Sequence, residues 1–159
     1  MAGETNFQRM IKKMRQLSAA IVMLVRNTLA AVVVVTLLAS SALAFDPEDL
    51  KELKETNECV GCDLLGVDLV RANLKGANLM GANLKEAILV RIDLISANLA
   101  GANLEDANLW IGYLWKANLE GANLKGANFL RADITSAKMK DAIICNTTMP
   151  DSSVNDNGC

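Results

Sequence analysis

Histidine is absent from all 159 residues, so neither a Ser-His nor a Cys-His nucleophile can be assembled. The same absence restricts any zinc site to cysteine and carboxylate ligands. No glycine-rich loop lies between a strand and a helix, which excludes the usual phosphate cradles. No two carboxylates stand apart from the charged background as an acid and base pair. The chain is therefore expected to be non-enzymatic, with no cofactor and no metal. Basic charge is not in excess either, with 16 Lys and Arg against 18 Asp and Glu. Nucleic acid, whose phosphates demand a basic face, is not an expected partner.

Long apolar runs are lacking as well. Residues 1–26 carry Arg9, Lys12, Lys13, Arg15 and Arg26, with only Glu4 opposing them. Residues 28–38 are almost wholly apolar and lead into Ala42-Leu43-Ala44. Arg26 separates this run from residues 21–25, so it falls short of the ~20 residues a spanning helix needs. A basic start, a short apolar core and an A-x-A end describe a secretory signal over residues 1–44, cleaved after Ala44. The alternative is an uncleaved membrane anchor, the one route by which this chain would meet a membrane. Residues 45–159 keep 11 basic and 17 acidic side chains, a net charge of −6.

What the sequence does contain is a repeat. From Leu64 to Met149 every fifth residue is large and apolar, over eighteen consecutive positions. Two residues before each of these centres lies a small residue, usually alanine, as in Ala102-Asn103-Leu104. A period of five fits neither an α-helix nor a plain strand alternation. The small residue and the centre, two apart in an extended segment, point to one side, while the Asn or Asp between them points out. The next two residues turn the chain, and the second is glycine at Gly66, Gly76, Gly81, Gly101, Gly121 and Gly126. Such units wind into a square coil of twenty residues per lap, with leucine filling the bore. Eighteen units make about four and a half laps, roughly 20 Å tall at the ~4.8 Å spacing of paired strands. One irregularity tests the register: Ile92 is too large for a small position and Gly112, one lap later, has lost its methyl. A bulky residue beneath a void is a compensated pair.

The repeat resembles the pentapeptide-repeat family, whose A(D/N)LXX motif stands almost verbatim at Ala77-Asn78-Leu79-Met80-Gly81. The resemblance implies an all-β solenoid, a right-handed quadrilateral β-helix. On this reading the repeat occupies residues 59–151, residues 45–58 form a short capping helix, and residues 152–159 a terminal tail. Asp46 is placed to cap that helix, Pro47 suits its first turn, and Glu48 and Asp49 favour its positive end.

All four cysteines fall after residue 44. An even count in an exported chain favours disulfides. Cys59 and Cys62 form a CxxC at the opening coil, read as a structural bridge or buried core pair. A redox-active dithiol and a zinc site remain as alternatives, each lacking the surroundings such sites normally have. Cys145 and Cys159 bracket the tail, where a bridge would pin it across the last coil and blunt its edge. The tail and the Cys-x-x-Cys-Asp-Leu opening resemble exported family members common in cyanobacteria. That resemblance implies the thylakoid lumen or the periplasm.

One outward feature stands apart. Val70, Val90, Trp110 and Leu130 follow the centres of one side, with Ile88 beside them. Round the corner come Ile111, Tyr113 and Trp115, with Ile95 one lap away. Both tryptophans and the tyrosine are here, where other units carry Asn, Lys or Glu. A large apolar patch with aromatic anchors reads as a surface for a protein partner, on a monomer or weak dimer. The plain alternative is that β-branched and aromatic residues suit strand surfaces. Arg71, Arg91 and Arg131, with Asp93 and Asp133 nearby, read as a solvated ladder. Two other functions remain: a cytoplasmic DNA mimic like the family members that act on DNA gyrase, and a thiol–disulfide factor using the CxxC.

Overall fold

A computed structural model describes residues 45–156 and 158–159. The leader expected over residues 1–44 lies outside the described residues. Helix α1 spans Pro47–Thr56. The Asp46 carboxylate accepts the Glu48 amide at 3.0 Å, and Pro47 enters at a position whose amide would have no helical partner. Asn57 ends the helix in a left-handed conformation, its amide bonded back to the Leu53 carbonyl. Leu53 is fully buried against the first coil and Leu50 is half-buried beside it.

Beyond α1 the chain coils. Parallel bridges join residues twenty apart in an unbroken series, from Glu58 with Asn78 to Asn128 with Thr148. Every fifth residue from Gly61 to Asn146 holds φ between 53° and 69°, so each lap turns four left-handed corners. The side of the first centre carries Leu64, Leu84, Leu104, Leu124 and Ile144, and the second Leu69, Leu89, Leu109 and Phe129. The third carries Leu74, Leu94, Leu114 and Ile134, and the fourth Cys59, Leu79, Leu99, Leu119 and Met139. Large centres fill the bore and alanines line it where the walls converge.

The unit 102–106 accounts for every backbone donor. Ala102 closes the preceding corner on the Leu99 carbonyl, Asn103 bonds down one lap to Ala82, and Leu104 and Asp106 bond up to Asn123 and Lys125. The fifth amide, Glu105, has no carbonyl; it bonds the Asn103 side-chain oxygen at 3.2 Å. That oxygen also accepts from Asn123 one lap up at 3.0 Å, while the Asn103 side-chain amide donates to Asn83 at 3.3 Å. From Asp63 to Asp133 the Asn or Asp of a unit thus closes a turn at every such position but Asn78, and asparagine also ties neighbouring laps together.

The last lap differs from the expected filled bore. Ile134, Met139, Ile144 and Met149 are half-buried, because no further lap covers them. Instead β1 (Thr147–Thr148) pairs antiparallel with β2 (Val154–Asn155), a hairpin the repeat pattern does not announce. Thr147 stands where other units have alanine and is fully buried, its hydroxyl donating to the Leu124 carbonyl at 2.7 Å. Cys145 and Cys159 are bridged across the tail, and Cys59 and Cys62 across the first corner.

Ile92 and Gly112 do stack: the Tyr113 amide bonds the Ile92 carbonyl. A Cβ at Gly112 would lie 3.0 Å from the Leu109 carbonyl oxygen, 3.3 Å from Leu114 and 3.6 Å from Ile92. Gly112→Leu is expected to destabilise the coil by about 1–3 kcal/mol through overpacking. Pairing Gly112→Ala with Ile92→Ala restores the ordinary alanine stack and should cost less than Ile92→Ala alone, which leaves a cavity beside the glycine. Thermal melts of the three variants check this, and an unchanged melting temperature for Gly112→Leu rejects the stacking.

Candidate functional site

The second and third sides meet at a corner where the repeat breaks its own rules. From Asp63 to Asp133 fifteen units pass, and the outward position holds Asn or Asp in all but two, Ile88 and Tyr113. Both are exposed, at 42% and 48%. Without an Asx oxygen two residues earlier, the Val90 and Trp115 amides have no acceptor among the described residues. The side-chain ladder is interrupted at the same places: Asn128 donates to Asn108 at 3.4 Å, but Asn108 finds isoleucine below it.

The corner between them holds a third exception. Ile111 sits at φ 57°, the one β-branched residue among the left-handed corners from Gly61 to Asn146. Branching at Cβ crowds the backbone there, whereas Gly, Asn and Asp tolerate it. Three locally unfavourable choices therefore converge on one patch. Around them Val70 and Trp115 are exposed, and Val90, Ile95, Trp110 and Leu130 are half-buried. The Lys116 ammonium lies 4.1 Å from the centre of the Trp115 ring. Apolar residues also emerge elsewhere, Val60 and Met80 on the fourth side and Ile143 and Val154 near the last lap, but apart from this patch.

The expected ladder of arginines and aspartates does not form. Among the described residues the ion pairs within 4 Å join Lys85 to Glu86 and Glu105, and none reaches Arg71, Arg91 or Arg131. The aspartates turn back to the backbone instead: Asp68 accepts the Val70 amide, Asp93 the Ile95 amide and Asp133 the Thr135 amide, at 2.9–3.0 Å. Hydrogen bonds from Thr135 hold the Asp133 carboxyl below its usual range. Short aspartate side chains reach their own turn more readily than a neighbouring corner.

The remaining donor sets are occupied. Asp49, Glu52 and Cys62 bring ligand atoms within 4.8 Å of one another. However, the Cys62 sulfur is bonded to Cys59, and Asp49 accepts the Asp63 amide at 2.8 Å. Both sulfurs are buried. A shallow depression on α1, lined by Pro47, Leu50, Lys51, Lys54 and Glu55, offers no nucleophile.

Two signals in the sequence point to this corner more sharply than apolarity does. The six glycines of the corner column mark its left-handed backbone, so Ile111 can be recognised as an exception. The near-invariant Asn or Asp likewise makes Ile88 and Tyr113 conspicuous within the chain. The failure of the arginines to pair carries no such signature, because it depends on where each aspartate side chain turns.

The profile described as pentapeptide repeats, in 8 copies, matches residues 58–85, 77–109 and 114–149. No curated protein sequence matches the chain. Among solved structures, a pentapeptide repeat protein from Nostoc PCC 7120 is 38% identical, with a TM-score of 0.47 over 48% of this chain. The match spans 63% of the Nostoc protein, under two thirds of its length. Rfr23 from Cyanothece 51142 is 31% identical, with a TM-score of 0.34 over 60% of this chain and 92% of that one. A thylakoid-lumen pentapeptide repeat protein from Arabidopsis thaliana is 29% identical, with a TM-score of 0.35 over 64% of this chain and 71% of that one. With the profile covering more than half of its residues, the chain belongs to the pentapeptide-repeat family, whose fold is the right-handed quadrilateral β-helix.

Proposed function

We propose that this protein is an exported, non-enzymatic interaction module whose contact surface is the corner between the second and third sides. The observation that carries the reading is the coincidence of Ile88, Tyr113 and Ile111. Each forgoes a turn bond or strains a corner, and all three meet in one apolar patch. Residues selected only for a stable wall would be Asn, Asp or Gly at these places. Local features that cost stability and cluster are the expected mark of a functional surface. Trp110, Tyr113 and Trp115 supply the large, stiff side chains that anchor protein interfaces.

Export is supported by the basic, apolar and A-x-A pattern of residues 1–44 and by the bridging of all four cysteines. The thylakoid lumen and the periplasm both suit such a chain. In this reading α1 and the bridged tail close the two ends of about four and a half laps, and the disulfides are structural.

Restoring the consensus should separate stability from function. Ile88→Asn, Tyr113→Asn and Ile111→Asn are each expected to stabilise by about 1 kcal/mol, through a regained turn bond or a relieved corner. That corresponds to a rise of roughly 3–5 °C in the melting temperature, with partner binding reduced. Lower melting temperatures would show that these residues serve the fold.

Photo-crosslinking in the native host tests the surface directly. Trp110→Ala with Trp115→Ala should lose the partners that the wild type captures while retaining a cooperative melt; identical partners in both would remove the patch from consideration. Intact mass without reductant tests export. A mass for residues 45–159 less four hydrogens is expected, whereas a full-length chain with four free thiols would return the protein to a reducing compartment.

A further inference from the structure

We infer that the partner surface is an acidic one, a protein segment whose carboxylates flank apolar side chains. The inference rests on the interface proposed above and goes on to name its chemistry. Arg71, Arg91 and Arg131 share a corner column with Ile111, one per lap, and all three are exposed. No carboxylate lies within 4 Å of them among the described residues, since Asp68, Asp93 and Asp133 accept turn amides. Lys116 adds a fourth cation above Trp115. The Val90 and Trp115 amides, left without an Asx acceptor by Ile88 and Tyr113, add two more donors.

The corner thus sets four cations, Arg71, Arg91, Lys116 and Arg131, against the three carboxylates Asp68, Asp93 and Asp133, a local surplus of positive charge on a chain whose residues 45–159 carry a net charge of −6. A basic, apolar patch on an otherwise acidic molecule steers oppositely charged partners to itself and repels the chain's own remaining surface. Guanidinium groups offer carboxylates a planar fork, and arginine with aromatic residues is the enriched composition of interface cores. Neighbouring laps lie ~4.8 Å apart, so Arg71 and Arg91 are about 5 Å apart along the axis and Arg91 and Arg131 about 10 Å. Those separations match carboxylates one and two turns apart on a helix, with pitch ~5.4 Å, lying along the coil. Apolar side chains of the same helix would then cover Trp110 and Ile111. An anionic bilayer offers similar charge, but this wall is flat, Trp110 is half-buried, and the net negative chain is repelled by such a surface.

The test uses the whole exported chain and three probes: a synthetic helical peptide of Glu and Leu, the same peptide with Lys for Glu, and phosphatidylglycerol vesicles. The only two tryptophans, Trp110 and Trp115, both lie in the patch and report binding by fluorescence. The acidic peptide should bind saturably, more weakly as salt rises, and at least tenfold more weakly to Arg91→Asn/Arg131→Asn. Asparagine tolerates the left-handed corner, so that variant keeps its fold, and an unchanged melt verifies it. Equal binding of the Lys peptide, or no binding of the acidic peptide at millimolar concentration, overturns the charge assignment. Binding to vesicles in place of the peptide overturns it in favour of lipid. If the peptide fails while Trp110→Ala/Trp115→Ala still loses its crosslinked partners, the interface stands and only its acidic complement falls. If the crosslinks persist too, the interface itself falls.

Discussion

The wall of this molecule depends on one hydrogen bond repeated along it, from a turn amide to the side chain of the Asn or Asp two residues earlier. Four of the five amides in a unit find carbonyls in their own corner or a neighbouring lap; the fifth cannot, because the chain is turning there. In Asn103 a single side chain closes the turn, accepts from the lap above and donates to the lap below. Individual bonds of this kind contribute about 1 kcal/mol. Their effect is cumulative, because each turn sets the next strand in register with the lap already formed.

That dependence explains what could be read in advance. Spacing alone yields the square coil, since a side chain every fifth residue can face one bore only if the backbone turns at the same interval. The bridges between residues twenty apart bear this out, as does the bond from the Tyr113 amide to the Ile92 carbonyl that sets Gly112 against Ile92. The helical opening is equally local: Asp46, Pro47 and the acidic first turn specify where α1 begins. The last lap is harder, because the repeat continues in sequence after the coil has lost its next layer. Ile134 and Met139 fit the pattern yet remain half-buried, and the β1–β2 hairpin arises from pairing that no period encodes.

The patch was legible as a list of apolar side chains, and Ile88, Ile111 and Tyr113 as exceptions to the repeat, but what those exceptions cost the backbone was not. Apolarity alone does not distinguish a contact surface from strand residues that suit a wall. The distinction comes from Ile111 in a left-handed corner and from amides that Ile88 and Tyr113 leave unserved, both consequences of backbone geometry. Equally, a charge ladder drawn from sequence proximity gives way to aspartates folded onto their own turns, because a short side chain satisfies the nearest donor first. Arginine, with a longer reach, is left facing outward.

A contact surface gains from its position on this fold. Residues 88–115 lie in laps covered above and below, where strands are bonded along both edges and the bore behind them is filled. The backbone beneath Trp110 and Tyr113 is already fixed, so association orders side chains and little else. Pre-organisation of that kind lowers the entropic cost of binding. A flexible loop could carry the same residues but would have to be ordered by each encounter. The wall can also accommodate Ile111 at an unfavourable corner because the adjoining laps hold that corner in place. A repeat that is over-determined along its length can lose a few turn bonds at one spot and keep its shape, and that surplus lets the sequence there answer to a partner instead of the fold.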